Sequence, residues 1–308
     1  MNRILKKIPM PIVGVMLSLV ALGNLVQSYG ENYRTILGIL ATIIFIIATL
    51  KFLCDFPGLK KDLSTPIGAS VFPTYTMGIM LLATYLKSYN SELAYGIWII
   101  AILLHIVLII YFTLKYVRKF NIMEVFPSWF IVYVGIAVAA VTSKAFNQTI
   151  GQWAFGFAFL SYLILLPIIG KRVLVIKKIP EPALPTLIIF SAPGSLCLTG
   201  YINSFDTKNM ILFGFLLILS QFIYVLAVIK LIQLLKLKFY PSYSGFTFPL
   251  VISAIALKSS NTFLINQGKA IRFLPMVVKV EEIIAVIMVF YVLIRYVISI
   301  AKSIQKEN

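Results

Sequence analysis

Five prolines, Pro11, Pro73, Pro127, Pro193 and Pro249, recur 62, 54, 66 and 56 residues apart, each with Gly, Ser or Thr within three residues, in alternate apolar stretches. Proline removes a backbone donor and frees a carbonyl. At membrane depth that is tolerated only where protein or water satisfies the freed group, as around a cavity. Such breaks also turn backbone donors toward anions. The usual reactive side chains are sparse. The chain of 308 residues has one histidine, His105, and two cysteines, Cys54 and Cys197, in or beside different apolar stretches. No disulfide framework or metal cluster is read from them, and no cofactor is implied. An intramembrane enzyme needs paired carboxylates, a Ser/His pair or a clustered metal site, and this inventory argues against one. His105 falls mid-stretch, where an ionisable residue is a functional hypothesis by default. It reads either as a proton relay or as a neutral imidazole hydrogen-bonded to a neighbouring helix or subunit. Glu281 and Glu282 stand beside Lys279 and read as interfacial, ion-paired or solvated.

The elements that must position these residues are long. Ten apolar stretches lie at about 9–29, 34–54, 66–86, 93–115, 127–146, 150–170, 183–203, 209–234, 245–265 and 277–300. Each is near the roughly 20 residues a helix needs to cross the hydrocarbon of a bilayer. A mean hydropathy of +0.98, with 60% apolar and 12% charged residues, agrees. The start, Met-Asn-Arg-Ile-Leu-Lys-Lys, resembles a signal peptide, but its apolar run is long and lacks a small-residue cleavage pattern, so it is read as the first helix. Of the 27 Lys and Arg, 19 fall on the side of both termini and eight on the other. Short Lys- and Arg-rich connections stay cytoplasmic. The expectation is therefore an all-α, multi-pass protein of the cell (plasma) membrane, residues 1–308 forming one transmembrane domain with both ends cytoplasmic. The net charge of +17 is then a topology signal, and without a soluble basic face no nucleic-acid partner is expected.

Alternate stretches differ in kind. The even ones are plain lipid-type helices, such as residues 36–47 and 97–110; the odd ones carry Pro, Gly, Ser and Thr at or near their starts. Five helical hairpins, each pairing a broken helix with a plain one, predict an inner ring of odd helices within an outer ring of even ones. The odd stretches contain no Asp, Glu, Lys, Arg or His within 10–29, 66–86, 127–143, 183–204 and 245–257. Tightly coupled pumps and symporters keep an ionisable relay in the membrane, whereas conduction requires weak binding. A low-affinity conduit fits better. Lys144 and Lys258, at the outer ends of the fifth and ninth stretches, read either as positive charge at a pore mouth or as interfacial snorkelling residues.

Three segments carry a family resemblance: Val-Phe-Pro-Thr-Tyr-Thr-Met-Gly (71–78), Pro-Ala-Leu-Pro-Thr-Leu-Ile-Ile-Phe-Ser-Ala-Pro-Gly (182–194) and Gly-Phe-Thr-Phe-Pro-Leu-Val-Ile-Ser-Ala-Ile-Ala-Leu (245–257). They resemble the third, seventh and ninth helices of the bacterial tellurite-resistance and dicarboxylate transporters (TDT) and plant slow-type anion channels, and the order and spacing of all ten stretches match. The resemblance implies five hairpins around a central pore, homotrimers, passage of small inorganic anions or dicarboxylates, and a ninth-helix phenylalanine that blocks the pore. On the Thr-Phe-Pro match that residue is Phe248, with Phe246 in reserve. The expected pore-lining and kink residues are Pro11, Gly14, Phe72, Pro73, Thr74, Gly135, Pro193, Gly194, Pro249 and Ser253. Met16 and Val132 stand where family members often have proline, which leaves any bend there to Gly14 and Gly135. A passive anion channel or low-affinity transporter is thus the first reading. The second is a proton-coupled carrier of dicarboxylates or oxyanions such as malate or tellurite, which predicts an essential carboxylate or histidine among His105, Glu281 and Glu282.

Overall fold

The computed structural model describes residues 2–305; Lys306 and the side chain of Arg3, both among the 27 basic residues counted above, lie outside the described part. Among the described residues nine helical segments are long and apolar enough to cross a membrane. They are Ile12–Tyr29, Glu31–Cys54, Pro66–Leu86, Ser91–Val117, Gln148–Ile176, Glu181–Ser204, Met210–Leu234, Pro241–Asn266 and Leu274–Gln305. The fifth expected crossing is built instead from two half-helices, Trp129–Val134 and Ala137–Thr142. These ten are called the first to tenth spans below.

The hairpins begin with recognisable signals. Asn90, Asn147 and Asn209 cap the fourth, sixth and eighth spans, each side-chain oxygen accepting from backbone N–H groups of the first turn. A capping Asn satisfies donors that the helix start leaves orphaned.

Burial separates the two classes of span. In the first, third, seventh and ninth spans 61–83% of the most apolar window is buried, against 22–33% in the even spans. The half-helices of the fifth are buried through Trp129, Phe130, Val132 and Val134, then Ala137–Ala140. Each inner span packs on the next, first on third, third on fifth, fifth on seventh and seventh on ninth, and the ninth closes on the first. The even spans lie outside: the second on the first, the fourth on the third, the sixth on fifth and seventh, the eighth on seventh and ninth, the tenth on ninth and first. Their outward Ile, Leu and Phe side chains, such as Ile39, Ile100, Leu160, Ile218 and Ile287, are exposed as a lipid-facing surface requires.

Hydroxyl pairs sew the inner ring together. Ser18 donates to Thr247 (2.6 Å) between first and ninth spans, and Ser70 meets Ser128 (2.6 Å) between third and fifth. Ser143 meets Ser204 (3.0 Å) between fifth and seventh, and Ser195 meets Ser253 (3.1 Å) between seventh and ninth. Small hydroxyl side chains let helices approach closely and add a polar link in a medium without competing water.

Both described ends of the chain lie on one face. The short helix Asn2–Lys7 packs against the second and tenth spans, and Lys51 at the end of the second span donates to the Ile8 carbonyl. The odd spans start on this chain-end face.

Candidate functional site

Two cavities lie inside the inner ring, each walled by residues from all five inner spans. The one toward the chain-end face measures about 40 Å³, with Gly14, Thr74, Phe130, Thr186, Ser244 and Pro249 in its wall. The one toward the opposite face measures about 340 Å³, with Asn24, Arg34, Thr84, Thr142, Lys144 and Asn203. Among the described residues only Phe248 and Leu196 line both. A phenyl ring and an isobutyl group therefore separate the two spaces.

Local backbone explains the position of Phe248. The ninth span starts as a 3₁₀ segment, Pro241–Phe246, and resumes as an α-helix at Phe248–Asn266, with Thr247 at the junction. Pro249 lacks an N–H, which is harmless in a first helical turn and forbids a continuous α-helix through the segment before it. The junction is held by the Thr247 hydroxyl donating to the Ser244 carbonyl (2.7 Å), while Ser18 donates to Thr247. The first helical residue is thereby turned into the lumen. Leu196 is placed similarly, because the seventh span runs as a 3₁₀ segment over Glu181–Phe190 before its α-helix, Ser191–Ser204.

Breaks recur in four of the five inner spans: at Phe72–Pro73, Gly135–Ile136, the Phe190/Ser191 junction and Thr247. The first differs, since its α-helix Ile12–Val26 starts directly after Pro11 and passes Met16 unbroken. In the fifth, the bend occurs at Gly135 without any proline. A Cβ there would lie 2.2 Å from the Ile131 carbonyl oxygen and 2.8 Å from the Met77 sulfur. Glycine is thus required by close packing at the break.

Charge is distributed unequally. Among the described residues no charged side chain lines the 40 Å³ cavity. Arg34 and Lys144 line the larger one. Arg34 is fixed by Asn24 (3.0 Å) and the Thr84 carbonyl (3.2 Å) and lies 4.0 Å over the Tyr85 ring. Lys208, in the connection after the seventh span, is close by: burial pulls its ammonium below the usual lysine range, Lys144 adds to this by repulsion, and Asp206 opposes it. One mouth therefore carries a cationic cluster, which concentrates anions in a low-dielectric funnel.

The expected site residues divide. Gly14, Thr74, Pro193, Pro249 and Phe248 line the smaller cavity, and Lys144 the larger. A Cβ on Gly14 would approach Ser244 to 3.0 Å, so that wall is formed by close contact of first and ninth spans. The others serve packing. Phe72 belongs to an aromatic cluster with Phe52 (5.2 Å) and Tyr75 (5.9 Å). Pro11 and Pro73 precede helices without lining either space. Gly194 admits Ser220 of the eighth span, whose Cβ would lie 3.2 Å from an added Cβ. Ser253 is fully buried and donates to the Pro249 carbonyl (2.8 Å), making it a seam residue. Lys258 lines neither cavity; its ammonium is 2.6 Å from Glu282 and also donates to the Leu25 carbonyl and Ser28. Phe246 is wholly buried, its ring 4.7 Å from that of Tyr243, away from the lumen.

The ionisable residues of the spans stand behind the wall. His105 is fully buried on the fourth span, with Nε2 donating to the Val132 carbonyl (3.1 Å) and Nδ1 2.7 Å from the Thr76 hydroxyl. This is the hydrogen-bonded imidazole of the second reading given above. Glu282 is ion-paired, as one reading expected. Glu281 is neither ion-paired nor solvated: it is 2% exposed, with Gln221 and Tyr224 of the eighth span beside its carboxylate. Helical phase explains the error, since adjacent residues on the tenth span point to different neighbours.

Sequence reasoning missed Leu196, Arg34, Asn24 and Asn203. Leu196 carries no signal among so many leucines. Arg34 had one, being among the few basic residues on its face. Compared with known proteins, residues 8–297 match the SLAC1 family, described as voltage-dependent anion channel. No curated protein matches the chain.

Proposed function

The chain belongs to the SLAC1 family of voltage-dependent anion channels, and on that premise we propose that it is a passive conduit for small anions, closed at rest by Phe248. The observation that carries this reading is that, among the described residues, Phe248 and Leu196 alone line both halves of a lumen walled chiefly by the inner spans, with Arg34 and Lys144 reaching only the larger half. A narrow apolar constriction gates by excluding water, because an ion cannot shed its hydration into hydrocarbon. Its junction between a 3₁₀ segment and an α-helix provides a place where the ring can swing without repacking the helix.

Anion preference comes from the field rather than from a dedicated site. The cationic mouth of Arg34, Lys144 and Lys208 attracts anions, and hydroxyl and backbone groups of the narrow cavity hold them weakly enough to leave. In this reading the basic chain-end face is cytoplasmic, the protein is multi-pass in the plasma membrane, and it assembles as a homotrimer, as the family resemblance implies. The coupled-carrier reading has less support: His105 and Glu281 line neither cavity, and Glu282 is paired with Lys258.

Ion-replacement currents from the purified protein in a planar bilayer test the proposal. A reversal potential that follows the anion gradient alone is the expected result. Stoichiometric proton movement with malate or another dicarboxylate would establish a carrier instead.

A further inference from the structure

On the lipid-facing surface, behind the inner ring, a groove of about 960 Å³ runs between the sixth, seventh and eighth spans. Its floor is apolar, with Leu174, Leu184, Leu187, Phe190, Ile223 and Leu226, and three lysines, Lys177, Lys178 and Lys230, form its rim. All three are exposed at the chain-end face, and none is ion-paired with a carboxylate among the described residues. Apolar along its floor and cationic at its chain-end rim, the groove matches one kind of molecule.

The rim is built rather than incidental. Lys177 and Lys178 both have positive φ, 61° and 43°, a region that L side chains rarely adopt. Arg172, only 1% exposed, holds this turn: its guanidinium donates to the Lys177 carbonyl, to the Lys178 carbonyl (3.0 Å) and to the Met123 carbonyl (3.4 Å). Its partners are all neutral carbonyls, so its charge adds to the positive field under the rim. Strain held in place by a buried side chain clusters at binding sites. Glu181, the nearest acid in the following segment, is engaged by the Tyr240 hydroxyl (2.7 Å).

We propose that this groove is a binding site for an anionic phospholipid, its phosphate on Lys177, Lys178 and Lys230 and an acyl chain along Leu187, Phe190 and Leu226. Basic pockets between spans at a membrane interface take such headgroups. The same 3₁₀ segment, Glu181–Phe190, presents Leu187 and Phe190 to the groove and Thr186 and Ile189 to the smaller cavity. Phe190 also meets Phe130 of the cavity wall edge-on at 5.4 Å. A bound chain thus braces the back of the lumen wall.

Native mass spectrometry of the full-length detergent-purified protein tests this, with palmitoyl-oleoyl phosphatidylglycerol or the matching phosphatidylcholine added. Phosphatidylglycerol is expected to be retained preferentially, and Lys177→Gln/Lys178→Gln/Lys230→Gln to weaken its retention on the order of a hundredfold, three lysines each contributing about 1 kcal/mol near an anionic surface. Lys60→Gln/Lys61→Gln, elsewhere on the same face, is expected to change little. Leu226→Trp, which fills the apolar floor and leaves every lysine, is expected to weaken retention as well and stands in if the triple variant does not fold. Equal retention of the two lipids, equal loss in the Lys60/Lys61 variant, or full competition by inorganic phosphate would overturn the proposal. So would failure of a maleimide to label Leu226→Cys in lipid-free protein, since the groove would then be covered by another copy of the chain.

Discussion

Replacing Phe248 with alanine is expected to open the resting path. The ring leaves room for roughly three waters, at about 30 Å³ each, beside a cavity that measures about 40 Å³. That is enough to join it to the 340 Å³ space beyond. Moving an ion past a dry apolar ring costs several kcal/mol of lost hydration. Removing about 3 kcal/mol of that barrier, at 1.4 kcal/mol per tenfold, raises resting current on the order of a hundredfold. The folding cost is expected at or below about 3 kcal/mol, the low end for Phe→Ala, because the ring abuts cavities on two sides. Phe246→Ala serves as the comparison. Its ring is wholly buried against Tyr243, so it is expected to lose about 3–5 kcal/mol of stability and to gain no current. The assay is steady anion current from purified variants in a planar bilayer, with particle size checked by gel filtration. Equal, near-zero currents from the parent and an intact Phe248→Ala particle would refute the gate.

Three further outcomes follow from the same geometry. Arg34→Gln with Lys144→Gln should lower anion current several-fold at 10 mM salt and hardly at 1 M, where the Debye length shrinks to about 3 Å; a salt-independent loss would show that the two cations bind the ion directly. Lys258→Gln should leave current at low salt unchanged and cost about 1–2 kcal/mol in thermal unfolding, less than a fully buried pair because the lysine side chain is 29% exposed against 6% for Glu282. Cysteines placed at 60 and 177 should react only with a reagent applied from the cytoplasmic side, and labelling from outside alone would invert the assigned topology.

Much of the fold was legible because its causes are local. Asn90, Asn147 and Asn209 cap the fourth, sixth and eighth spans through side chains one turn from their targets. Pro73, Pro193 and Pro249 each fall within two residues of a break or α-helix start. The fifth span was less legible. Its half-helices part at Gly135, where glycine is demanded by Met77 of the third span and by its own Ile131 carbonyl. Gly135 is the kink expected from the sequence, but the contact with another span that demands glycine there leaves no local mark.

The sequence by itself determined what depends on composition and chain periodicity: an all-helical membrane protein, its alternating hairpins, and inner spans free of charge. Water, lipid and the helix period act on every residue alike, so a count along the chain suffices. Only the tertiary structure decided which members of each pair face the lumen. It set Phe248 between the cavities and Phe246 against Tyr243, two residues apart. It gave the mouth Arg34 with Lys144 and turned Lys258 to Glu282. It carried Ser253 into a seam and left Glu281 buried beside its paired neighbour. Those outcomes follow from helix rotation and from breaks that reset it, which depend on neighbours tens to hundreds of residues away in the chain.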